Sequence, residues 1–141
     1  MKRYFVLMII VGSILYAESS PTQYDRYFED AGNHYNIPPL LLKKIATIES
    51  GINPRAINRN ENGTLDYGIM QINSMHLKRL SQWGINEQNI MEPKINIFVG
   101  GWLLQEHIQK HGFNFQAIGN YHSKTHVYKE RWLRRLVASF K

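Results

Sequence analysis

The sequence predicts an all-α domain. Three observations carry that prediction: apolar residues recur at helical spacing in most segments after position 22, prolines and glycines fall where such helices would start and stop, and no useful length alternates as a half-buried strand would. At 141 residues there is room for one domain but not two cores, and 43% hydrophobic with 12% aromatic side chains fills one interior.

The first residues stand apart. Lys2 and Arg3 form a basic start, Tyr4 to Leu15 is almost wholly apolar, and small residues follow at Ala17, Ser19 and Ser20. This is the pattern of a secretory signal peptide over residues 1–19, cleaved after Ala17 or after Ser19, with one domain over 20–141. About twelve apolar residues fall short of the roughly 20 needed to span a bilayer. A periplasmic protein with no stable membrane span after cleavage is therefore expected, possible onward secretion aside.

In the domain, Thr22 can cap a first helix whose apolar positions are Tyr24, Tyr27, Phe28, Ala31 and Tyr35. Asn36-Ile37-Pro38-Pro39 breaks it, and Pro39 suits the first turn of a second helix that runs to about Ser50 and stops at Gly51. Residues 51–68 are polar, rich in Asn, Gly and Pro, and without period, so a long loop is predicted there. Asn73 or Ser74 caps a segment through Trp83 that Gly84 ends. Pro93 precedes a longer helix from about Ile95 to His111, and a short helix from Phe115 to about Tyr121 and a basic one from Val127 to Phe140 complete the set.

Composition excludes several chemistries. There is no cysteine, hence no disulfide, zinc thiolate or cysteine nucleophile. Removing Lys2 and Arg3 from seventeen basic residues leaves fifteen against eleven acidic, a modest net charge of +4. Lys124, Lys129, Arg131, Arg134, Arg135 and Lys141 are opposed after residue 111 only by Glu130. Such a run is either a solvated helix face or a surface that attracts an anionic polymer or membrane. Nucleic acid is not an expected partner of an exported chain. His107 and His111 share a helical spacing without an acidic companion and read as helix-surface residues, so no metal and no cofactor is expected.

One acid is out of place. Leu42, Ile45 and Ala46 precede Glu49 by seven, four and three residues, which sets Glu49 on the apolar face of its helix just before the stop at Gly51. Burial and the negative helix end both favour the protonated carboxyl group. That position is poor for stability and good for a general acid serving a sugar leaving group.

Two further patches supply polar groups. In Asp66-Tyr67-Gly68-Ile69-Met70-Gln71-Ile72-Asn73, Gly68 permits close backbone approach, while Gln71 and Asn73 offer amides suited to hydroxyl and acetamido groups. Tyr67 is either a sugar-stacking ring or a core residue. In Ala117-Ile118-Gly119-Asn120-Tyr121-His122 a tyrosine hydroxyl can orient a carboxyl group or a substrate.

These three patches, in this order, resemble the lysozyme-like family of soluble lytic transglycosylases and goose-type lysozymes. Glu49-Ser50 resembles its Glu-Ser motif, Gly68-Ile69-Met70-Gln71 its Gly-hydrophobic-Met-Gln motif, and Asn120-Tyr121-His122 an altered Ala-Tyr-Asn motif. The likeness runs from about Tyr24 to Tyr128. It is greatest to the short single-domain members that accompany bacterial secretion and conjugation machines. The resemblance implies a helical lysozyme-like domain with a glycan-binding cleft that cleaves between N-acetylmuramic acid and N-acetylglucosamine in peptidoglycan. It implies Glu49 as the single catalytic acid and base, with the sugar's C6 hydroxyl attacking C1 to leave a 1,6-anhydro end. Ser50, Tyr67, Gly68, Met70, Gln71, Asn73, Tyr121 and His122 are the expected substrate-binding residues, in a monomer.

His122 departs from the family's asparagine and can gain a charge in mildly acidic solution. Asp66 and Glu61 are the only plausible second carboxylates; the simpler reading makes them loop acids, Asp66 in an Asx-type turn before Gly68. Either across the cleft would instead give a hydrolysing muramidase. A non-catalytic glycan-binding or assembly protein on the same fold is the third possibility.

Overall fold

The structure, a computed structural model, describes residues 21–141. The signal peptide expected over residues 1–19 lies outside the described residues. Six helices and a small sheet follow in order: α1 Asp25–Tyr35, α2 Pro39–Ser50, β1 Ile57–Arg59, β2 Leu65–Tyr67, β3 Ile72–Asn73, α3 Leu77–Leu80, α4 Pro93–His111, α5 Phe115–His122 and α6 His126–Ala138. The mostly helical fold agrees with the sequence. None of these helices is long and apolar enough to cross a membrane.

The helix signals act where they stand. Pro39 occupies the first turn of α2, and Gly51 at φ 65° closes it, its N–H reaching the carbonyls of Ala46 and Thr47. Asn114 caps α5 by accepting the Ala117 N–H at 2.9 Å. The N-cap of α1 is Tyr24, with no side-chain capping bond; Thr22 instead braces the entry, its hydroxyl donating to Asp25 and accepting the Tyr24 N–H. The segment from Asn73 to Trp83 forms the single α-turn of α3 between two 3-10 turns, Ser74–His76 and Ser81–Trp83.

The predicted loop is the main difference. Residues 57–59, 65–67 and 72–73 form a three-stranded antiparallel sheet in the order β1-β2-β3, with Asn58 opposite Asp66 and Asp66 opposite Asn73. Asn60 stabilises the first hairpin by donating to Thr64 and Asp66, both at 3.0 Å. Side-chain amides brace this sheet on one side, while Tyr67 and Ile72 bury apolar surface in the core.

The long helix α4 is the centre of the packing, against both α1 and α5, and α6 packs on α5 and α2. Leu42, Ile45, Ile69, Met70, Ile97 and Leu104 are fully buried in the shared core. Gly100 lets α4 approach the hairpin: a Cβ there would lie 2.7 Å from the Met70 Cε. Lys43 pairs with Asp25 at 2.8 Å, joining α2 to α1. Lys44 donates to the Ser139 carbonyl and lies over the Phe140 ring, fastening the end of α6 to α2.

Asn96 is the one fully buried side-chain amide of α4. Its Oδ1 accepts the Met70 N–H at 2.7 Å, and its Nδ2 donates to the carbonyls of Tyr67 and Ile90 at 2.9 Å each. Asn96→Ala leaves three backbone groups unpaired in the core. It is expected to lower stability by about 3 kcal/mol or more, a fall of roughly 10 °C in Tm measured by thermal unfolding.

Candidate active site

Four elements converge on the end of α2. The chain leaves that helix through two left-handed residues, Gly51 at φ 65° and Ile52 at φ 57°. For the β-branched Ile52 this conformation costs on the order of 1–2 kcal/mol. It is held by the Ile52 N–H on the Ala46 carbonyl and the Asn53 N–H on the Ser50 hydroxyl. Ser50 in turn donates to the Ile69 carbonyl at 2.8 Å, so the end of α2 is bound to the β2–β3 turn.

That turn, Gly68 to Gln71, is fixed from several sides. Gly68 at φ 72° rests on Asn96, where a Cβ would approach Nδ2 to 2.6 Å. Gln71 is also left-handed, at φ 51°, and its amide donates to the Gly68 carbonyl at 2.9 Å while its Oε1 accepts from Asn58 at 2.6 Å. The Tyr121 hydroxyl donates to the Met70 carbonyl at 2.7 Å. Burial pushes the Tyr121 phenol well above its ordinary range, and the charges of Glu49 and Asp66 add to the effect, so the hydroxyl remains a donor at any physiological pH.

Glu49 is reached from α5 and α6. Its side chain is 10% exposed, and Oε1 accepts the Trp132 indole N–H at 2.8 Å. His122 Nδ1 stands 3.3 Å from the same oxygen, and its ring stacks on Trp132 at 5.4 Å with 7° between planes. Among the described residues nothing is bonded to Oε2. The carboxyl group thus has one oxygen fixed and one available.

Several expected roles change here. Tyr67 and Met70 do not line a groove: they are 5% and 0% exposed, because both belong to the core between the hairpin and α4. Tyr67 donates to Glu87 at 3.3 Å, and burial followed by the Glu87 charge raises its phenol. Ser50 ties two segments together, Gly68 gives room for Asn96, and Asn73 caps the 3-10 turn while donating to Asp66 at 2.8 Å. Gln71 is half-buried and His122 is exposed. Of the expected set, Tyr121 and His122 are gathered near Glu49, though Tyr121 holds Met70 instead of the acid.

Asp66 is neither a solvated loop acid nor part of an Asx-type turn. It lies on β2, and its two oxygens accept from Asn60 and Asn73 at 3.0 and 2.8 Å. Glu61 is exposed at the tip between β1 and β2. His107 and His111 are half-buried on α4 rather than surface residues, and among the described residues no three His, Cys, Asp or Glu side chains gather as a metal site would require. A hollow of about 430 Å³ bounded by Tyr35, Leu80, Trp83, Phe98 and Trp102 is apolar and offers no carboxylate, so it does not compete with Glu49 as a reaction centre.

Trp132 was not expected. Trp132 and Leu136 form the buried stripe of α6, and a tryptophan there reads as core; its N–H partner lies 83 residues earlier in the chain. The only available signal is that a buried indole N–H needs an acceptor.

Comparison with known proteins identifies the family. Protein IpgF of Shigella flexneri is 42% identical over 105 residues, 74% of this chain and 69% of that protein. Invasion protein IagB of Salmonella typhi is 41% identical over 92 residues, 64% of this chain and 58% of that protein. A putative peptidoglycan-binding-like protein of Escherichia coli K12 is 32% identical over 127 residues, covering 84% of this chain and 77% of its own length. Residues 26–135 match the Transglycosylase SLT domain, and the chain belongs to that lysozyme-like family.

Proposed function

We propose that this protein is a peptidoglycan lytic transglycosylase that cleaves the β-1,4 bond from N-acetylmuramic acid to N-acetylglucosamine and leaves 1,6-anhydro ends. The observation that carries the reading is Glu49 itself: a nearly buried carboxyl group with Oε1 held by Trp132 and Oε2 unengaged among the described residues. Protonated Oε2 gives its proton to the leaving glycosidic oxygen as the C1–O bond breaks. The C6 hydroxyl of the same sugar then bonds to C1, and Glu49 takes that hydroxyl proton. The acid returns to its starting state with no water consumed.

A hydrolysing muramidase is the competing reading, since most glycosidases employ two carboxylates. It is less well supported, because Asp66 is occupied by Asn60 and Asn73. Mass spectrometry of fragments from purified peptidoglycan separates the two. Anhydro ends, one water lighter than reducing ends, are expected; reducing ends alone would establish hydrolysis.

The same reading places the protein in the periplasm as a monomer needing no cofactor, where it opens the wall locally for a secretion or conjugation machine. The signal-like first segment and the name invasion protein on a relative support that setting.

A further inference from the structure

The proposed reaction leaves one strongly charged surface unused, on α6. Six basic residues follow position 123 against the single acid Glu130, which faces His126 across one turn at 3.4 Å. Helix geometry decides which of the six adjoin the site. With Trp132 directed at Glu49, positions 128, 131 and 135 border it on one side, whereas 129, 133 and 136 border it on the other.

Contacts identify the two sides. Lys129 packs over Gly119 of α5, where a Cβ would meet its Cγ at 2.5 Å. Arg135, on the opposite flank, donates from Nη2 to the carbonyl of Ile48, the residue before Glu49, at 3.3 Å. Tyr128 is 57% exposed, and Arg131 and Arg135 are exposed as well. Among the described residues neither arginine pairs with a carboxylate. An exposed ring and two guanidinium groups without a carboxylate partner among the described residues therefore flank Trp132 on the Arg135 side.

We propose that Tyr128, Arg131 and Arg135 form a subsite for the carboxylates of peptide stems carried by the glycan strand under cleavage. Arginine matches a carboxylate with two parallel N–H donors, and Ile48 uses only one of the five on Arg135. Tyr128 offers an amphipathic face to the stem or sugar. The charge lies beside Glu49, so the strand that presents a glycosidic bond there brings its own stems to this flank. The substrate class narrows to stem-bearing strands over stripped or uncharged ones.

The inference rests on the transglycosylase reading, and binding tests it separately from cleavage. In the Glu49→Gln protein, co-sedimentation is measured with intact peptidoglycan and with peptidoglycan stripped of stems by an amidase. Intact material is expected to bind about tenfold more tightly, and adding Arg131→Gln and Arg135→Gln removes that preference and most of its salt dependence. A preference that survives the double substitution overturns the proposal. So does loss of binding to phosphatidylglycerol vesicles without loss of stem preference, which would assign the flank to a membrane surface. Failure of the enzymatic reading shows elsewhere, as wild-type fragments that lack anhydro ends.

Discussion

Glu49→Gln is expected to lower the release of anhydro-ended fragments from peptidoglycan by at least about 10³-fold while strand binding persists. General acid–base assistance contributes roughly 10²–10⁴ when one group serves one step. In the proposed reaction the same carboxyl group serves both, first as donor and then as acceptor. Glutamine keeps the shape, and its carbonyl oxygen can still accept the Trp132 N–H, so the fold is retained while the transferable proton is lost. Equal thermal unfolding of the two proteins alongside the loss of fragments isolates the chemistry. Retained cleavage would remove Glu49 from the reaction.

The same site explains why an acid ends the apolar side of α2. Glu49 stands in the last turn of that helix with 10% of its side chain exposed, and ordinary packing gains nothing from burying a carboxyl group there. The indole N–H offsets part of the cost, and at one oxygen only. Stability and reactivity are divided between the two atoms of one carboxyl group.

How much of this was legible follows from the physics of each element. The six helices were readable because their apolar periods and their stops at Gly51, Gly84 and Gly112 are local signals. The sheet was not, because strands of three, three and two residues are too short for alternation to register, and amide contacts across Asn60, Asp66 and Asn73 stabilise them. Glu49 was legible from position within its helix. Met70 and Tyr67 were misplaced because motif order says which segment adjoins a site, not whether a side chain points into it or into the core. Asn96 carried a faint signal, one amide within the apolar run Ile95-Asn96-Ile97-Phe98-Val99. Its three partners, Tyr67, Met70 and Ile90, belong to other segments and only folding brings them together.

Trp132→Phe is expected to reduce kcat by about tenfold or more with KM nearly unchanged. Phenylalanine keeps an aromatic ring for His122 to stack on and fills most of the volume in the buried stripe of α6, so the loss is chiefly of one N–H. That hydrogen bond fixes the rotamer of Glu49, so removing it loosens the acid. A hydrogen bond to a charged group contributes about 1.5–3 kcal/mol, which corresponds to roughly 10- to 150-fold in rate if it is all expressed in the transition state. A purely structural tryptophan would instead lower Tm and the amount of active protein without lowering kcat per folded molecule. Trp132→Ala separates the two further: it opens a core cavity expected to destabilise by about 3–5 kcal/mol. The decisive comparison is kcat of Trp132→Phe against wild type at equal folded concentration, and full kcat would leave Glu49 positioned by its own backbone alone.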